Sequence, residues 1–261
     1  MTKTLQQVIE QKNEQGEKAF IPYIMAGDRG LTHTKETIRY LQQLGATAIE
    51  VGIPFSDPVA DGPVIEKAGL RALAEGTNLR AILAMLEEIK EDVQTPLILM
   101  TYLNPLVHFG LQDFVKAATK ANVKGLIIPD MPLEERDLIQ PFLEGTDIAL
   151  VQLVSLTSSK MRIQEIAEAA EGFIYAVTVN GTTGGQRDFQ DHVMQYLKEI
   201  KSSVSLPVLA GFGISNRQTA EKMSEGIDGV IVGSAIVDAL HRKDYDTIEQ
   251  FFQKEPVETN L

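Results

Sequence analysis

The chain has no cysteine, which removes disulfides, thiolate nucleophiles and cysteine-based zinc sites together and suits a reducing cytoplasm. It also lacks any cluster of lysine and arginine. With 24 basic against 36 acidic side chains the net charge is −12. A field of that sign repels nucleic acid and anionic membrane surfaces, so an anionic small molecule would have to be held by local backbone donors. No apolar run approaches the roughly 18 residues that cross a bilayer. The opening stretch MTKTLQQVIEQKNEQGEK has no apolar core of a secretory leader. A soluble cytoplasmic protein is expected. The four histidines (His33, His108, His192 and His241) are scattered, with no pair at ligand spacing, so no metal site is expected.

What is present is an apolar share of 44% against 23% charged, the balance of a soluble globular protein with a large core. Eight short apolar runs recur in order: AFIPYIMAG, AIEV, LILMTY, GLIIP, IALVQLV, FIYAVTV, PVLA and GVIVG. Between them apolar residues return at helical spacing, as at Leu79, Ile82, Leu83, Leu86 and Ile89. The strand runs are nearly continuous in apolar residues, as parallel strands covered by helices require. Eight such units favour a single-domain TIM (β/α)8 barrel over residues 1–261, with extra helices including one at the N-terminus. A dinucleotide fold would want G-x-G-x-x-G after the first strand, where the chain has Gly27-Asp-Arg-Gly30. Locally, Asn104-Pro105 is expected to close the third strand and Pro132 to open a helix. Ser215 with Gln218 is expected to form a capping box.

The stretch AIEVGIPFSDPVADGP, residues 48–63, holds one carboxylate, Glu50, inside an apolar strand. A second, Asp61, follows on a loop interrupted by Pro54 and Pro58. One acid fixed on a strand and another on the loop above it can supply paired acid–base chemistry. A satisfied Glu followed by a proline-rich surface turn accounts for the same spacing. In a barrel the working face lies at the carboxyl ends of the strands, where Tyr102, Asn104, Asp130 and Tyr175 stand. Gly211-Phe-Gly213 and Gly233-Ser234 each lead into a helix, and such amino ends with glycine before them receive phosphate. The loop Gly181-Thr-Thr-Gly-Gly185 is not a Walker A sequence and reads equally as a lid or a plain loop. No lysine ends a strand, so a Schiff-base aldolase would lack its nucleophile.

On these motifs, together with Tyr102-Leu-Asn104, Pro129-Asp130 and Val232-Gly-Ser234, the chain resembles the α subunits of tryptophan synthase along essentially its whole length. The resemblance implies retro-aldol cleavage of indole-3-glycerol phosphate to indole and glyceraldehyde 3-phosphate, without metal or Schiff base. It implies Glu50, Asp61 and Tyr175 as catalytic residues. It further implies phosphate on Gly184, Gly185, Gly211, Gly213, Gly233 and Ser234, and an indole pocket of Tyr23, Met100, Tyr102, Ile127, Leu153 and Phe212. Tyr23 stands where the family commonly has Phe, and Gly185 where a small side chain would be expected. The family implies an α2β2 complex with a β subunit that carries pyridoxal phosphate, this chain binding no cofactor. Thr183, Asp57, Asp130 and Asn104 belong by resemblance to the lid and the partner-facing loops. Three other readings remain open on the residues alone: a sugar-phosphate epimerase or isomerase, a non-catalytic docking subunit, and a free-standing lyase of the same fold.

Overall fold

Strands that are apolar on both faces need one face turned to a shared interior and the other to helices. The computed structural model, which describes residues 4–178, 186–211 and 213–253, has this arrangement. Among the described residues there are nine parallel strands: β1 Ala19–Met25, β2 Ile49–Gly52, β3 Leu97–Met100, β4 Gly125–Ile127, β5 Ala149–Leu150, β6 Gln152–Ser155, β7 Ile174–Val177, β8 Val208–Gly211 and β9 Gly229–Val232. Their order across the sheet is β5-β4-β3-β2-β1-β9-β8-β7-β6. The two end members, β5 and β6, are separated only by Val151, so they are two parts of one stave. The ring therefore closes with eight staves, and the expected barrel is observed.

Strand tilt staggers the ladders, and two staves change partner along their length. In β1, residues Ala19 to Pro22 pair with β9, whereas Tyr23 to Met25 pair with β2. On the fifth stave, β5 pairs with β4 and β6 with β7. Beside β5 the place of a neighbouring strand is taken by Glu171. Its carboxylate accepts the Leu150 N–H at 3.0 Å, and its own N–H donates to the Leu150 carbonyl at 3.1 Å.

The inward positions Ile21, Ala48, Ile98, Ile127, Val151, Phe173, Leu209 and Ile231 form one core inside the ring. The alternate positions Ile24, Ile49, Val51, Leu99 and Leu126 join the helices in a second core. The base is plugged by α1 (Leu5–Glu14), whose Leu5 and Ile9 are fully buried in the inner core. Thr4 and Gln7 cap that helix reciprocally. Gly125 makes room for the plug, since a methyl group there would stand 2.9 Å from Leu5 Cδ2.

The outer layer comprises α2 (Leu31–Leu44), α3 (Pro63–Ala74), α4 (Leu79–Ile89), α5 (Leu103–Phe109), α6 (Leu111–Lys120), α7 (Gln140–Leu143), α8 (Lys160–Ala169), α9 (Gln186–Ser203), α10 (Arg217–Ser224), α11 (Ser234–Arg242) and α12 (Tyr245–Gln250). Three local expectations are corrected. Asn104 and Pro105 lie in the first turn of α5, where a missing N–H costs nothing. Pro132 precedes a 3-10 helix, Leu133–Leu138, and not an α-helix. The cap of α10 is Asn216 and not Ser215: Asn216 Oδ1 accepts from the Thr219 N–H at 2.9 Å and from its hydroxyl at 3.0 Å.

Candidate active site

Glu50 lies in β2, in register with Tyr23 on β1 and Ile98 on β3. It is 1% exposed. Neither of its carboxyl oxygens has a hydrogen-bond partner among the described residues. Burial, and then the nearby charge of Asp61, push its pKa up to about 8. A rise of that direction favours the protonated form near neutral pH, the form that can give a proton. Among the described residues nothing satisfies the Glu50 carboxyl, as a structural glutamate would require.

Asp61 reaches the same place from the loop between β2 and α3. Gly62 caps α3 and Pro63 begins it, so the loop ends one residue after the acid. The Tyr102 hydroxyl fixes it by donating to Asp61 Oδ1 at 2.9 Å and accepting from the Ala60 N–H at 3.0 Å. The Tyr102 ring packs on Phe55, with centroids 5.3 Å apart. Partial burial raises the Asp61 pKa and the Tyr102 hydrogen bond opposes that rise. Tyr102, expected as a wall of the pocket, is thus the anchor of the acidic loop. Phe55, to which the sequence assigned nothing, supports that anchor.

Around the two acids, Ile127 and Tyr175 belong to the inner core, and Met100 and Leu153 pack against it. Tyr23 joins Met100 in an adjoining cluster with Met25 and with Val64 and Ile65 of α3. Burial is the first cause that raises the Tyr23 pKa well above its ordinary value. The charges of Asp61 and Glu50 come next, so both acids face this ring. Burial, then Glu50, raises Tyr175 in the same way. Three inward positions at this level are glycine. A side chain on Gly52 would collide with the Tyr23 hydroxyl, and one on Gly211 with the Tyr175 ring. At Gly233 it would find Ile65 and Tyr23 at 3.8 Å. At Gly52 and Gly211 the place of a side chain is thus taken by the Tyr23 hydroxyl and the Tyr175 ring.

Gly233 and Ser234 sit at the amino end of α11. Gly213 has φ +75°, a left-handed conformation suited to glycine. Thr178 holds the end of β8 by donating to the Gly211 carbonyl from its N–H at 3.1 Å and its hydroxyl at 2.8 Å. Asp57 is exposed on the loop after β2 and Asn104 in the first turn of α5. Asp130, also exposed, accepts the Leu103 N–H at 2.9 Å and ties the loop after β4 to the start of α5. Thr183, Gly184, Gly185 and Phe212 lie outside the described residues.

A closed eight-stave barrel, with a neutral buried carboxyl at the carboxyl ends of its strands and a second acid held above it, defines an enzyme of the (β/α)8 class equipped for acid–base chemistry. The family model described as tryptophan synthase alpha chain matches residues 9–260. The tryptophan synthase alpha chain of Streptococcus sanguinis is 51% identical over 256 residues, 97% of this chain and 98% of that one. That of Listeria monocytogenes serotype 4a is 52% identical over 254 residues, covering 97% of each. Among solved structures, the alpha subunit from Campylobacter jejuni superposes with a TM-score of 0.83 at 33% identity, over 92% of this chain and 96% of that one. The chain belongs to the tryptophan synthase alpha chain family, lyases that cleave indole-3-glycerol phosphate to indole and glyceraldehyde 3-phosphate.

Proposed function

We propose that Glu50 is the general acid of this cleavage and then its base. In the neutral form it protonates C3 of the indole ring. The resulting carboxylate takes the proton from the glycerol hydroxyl next to that carbon. The carbon–carbon bond then breaks, its electrons return to the indole, and the aldehyde leaves. Asp61 stabilises the positive charge that develops at the indole nitrogen. Tyr175 orients the substrate beside Glu50, and Tyr23, Met100, Tyr102, Ile127, Leu153 and Phe212 form the indole pocket. The phosphate rests on main-chain N–H groups at Gly184, Gly185, Gly211, Gly213 and Gly233 and on Ser234.

The observation that carries this reading is the buried Glu50 carboxyl, without a partner among the described residues and with its pKa raised to about 8. A carboxyl in that state is a proton donor at neutral pH, and burying one without a hydrogen bond is costly unless a ligand uses it. The assay is indole release from indole-3-glycerol phosphate. General acid–base groups contribute roughly 10²–10⁴-fold, so Glu50→Gln is expected to lose about 10³-fold with its fold intact. A variant retaining a tenth of the wild-type rate would point to another acid.

The reading extends to a cytoplasmic α2β2 complex in which indole passes to a β subunit carrying pyridoxal phosphate. Two apolar side chains stand exposed beside the mouth, Val59 at 83% on the loop after β2 and Val107 at 56% on α5, which supports docking of a partner there. Asp57, Asn104 and residues 130–132 belong to the same rim. Asp61 lies on that docking loop, so partner binding and the chemistry share one element.

A further inference from the structure

We propose that Tyr23 is a positioning residue for Glu50, its hydroxyl donating a hydrogen bond to the carboxylate that remains once the Glu50 proton has gone to substrate. The proposal rests on the reading of Glu50 as the acid. Tyr23 and Glu50 are register partners on neighbouring parallel strands, so both leave the backbone at one level of the barrel. The Tyr23 oxygen extends two residues further towards the mouth, over Gly52, where any side chain would collide with it. That room is given to an oxygen atom and not to carbon. As a wall for an aromatic ring the phenyl group alone would serve.

The groups around the hydroxyl are Asp61, Glu50, Tyr102 and Tyr175. Glu50 presents two buried oxygens without a partner among the described residues. Tyr102 is already engaged by Asp61 and Ala60. A neutral carboxyl tolerates this better than the carboxylate that follows proton transfer, which needs a donor. The groups facing Glu50 are Asp61 from the loop after β2, Tyr175 from β7 and Tyr23 from β1. The neighbouring β3 and β4 offer the apolar Ile98, Met100 and Ile127. In the step proposed, Tyr23 keeps its own proton throughout and no covalent bond to it changes. Burial suppresses its ionisation, which suits a donor.

A donor to the charged form lowers a carboxyl pKa. The test is Tyr23→Phe, with Glu50 titrated in the substrate-free enzyme through its carboxyl C=O infrared band, assigned by Glu50→Gln. The midpoint is expected to rise by about one pH unit. In the lyase assay the alkaline limb of kcat should move with it, kcat should fall about tenfold and KM should change by less than about twofold. Tyr23→Met, which keeps bulk without the hydroxyl, should displace the midpoint in the same direction. An unchanged midpoint in either folded variant overturns the proposal. A wild-type chain that releases no indole would sink the reading of Glu50, while the infrared midpoints still decide the part played by Tyr23.

Discussion

A buried carboxyl without a partner leaves its mark on stability as well as on chemistry. The Glu50 pKa is about 8 in the fold against 4.5 for an unperturbed glutamate, so between those values the folded chain holds a proton that the unfolded chain has lost. Linkage then fixes the sign. The contribution of Glu50 to stability is complete below about pH 4.5, declines as pH rises through the window, and is gone above about pH 8. Glu50→Gln removes this dependence. Its melting temperature is expected to match that of wild type near pH 5 and to exceed it increasingly towards pH 8.5, as thermal denaturation across that range would record. Parallel curves for the two proteins would mean that the carboxyl is hydrated or paired in solution. Position and residue type were legible in the sequence, because one acid in an apolar strand is visible at once. That both oxygens are unpartnered was not legible, since it depends on what Tyr23, Tyr102 and Asp61 do with their own polar groups.

At the scale of elements, the staves were readable because burial on both faces leaves continuous apolar runs, and seven of the eight follow them directly. The split of the fifth at Val151 was hidden: IALVQLV is one run, and the change of partner comes from tilt and from Glu171, distant in sequence. Short helices were the least legible. In α5 a proline falls where the first turn needs no N–H, so a residue that announces a loop permits a helix. At α10 two adjacent residues could both cap, and the asparagine does so. Removing an N-cap costs about 1 kcal/mol. Asn216→Ala is therefore expected to lose about that much stability and Ser215→Ala almost none in parallel chemical denaturations. Equal losses would mean that the helix begins one residue earlier. The loop carrying Asp61 was legible as a loop but not in its path, which a single hydroxyl, that of Tyr102, fixes from another stave.

For the whole molecule, the mouth carries the candidate site and a rim with exposed Val59 and Val107, while the base is sealed by α1. Docking of the proposed β subunit over that rim is expected to raise indole release and to give a co-eluting complex in size-exclusion chromatography. Val107→Asp, on the exposed face of α5, should weaken that complex while leaving the rate of the isolated chain within about twofold, since such a surface change is nearly neutral. A rate unaffected by the partner would leave the chain a free-standing lyase. The two staves that change partner, β1 and the β5–β6 run, divide the ring into a pair of half-shells. One bears Glu50, Asp61, Met100 and Ile127, and the other bears Tyr175, Gly211, Gly213 and Gly233. In the binding mode proposed for the substrate, its ring would meet the first and its phosphate the second, so that one bound molecule would bridge both seams.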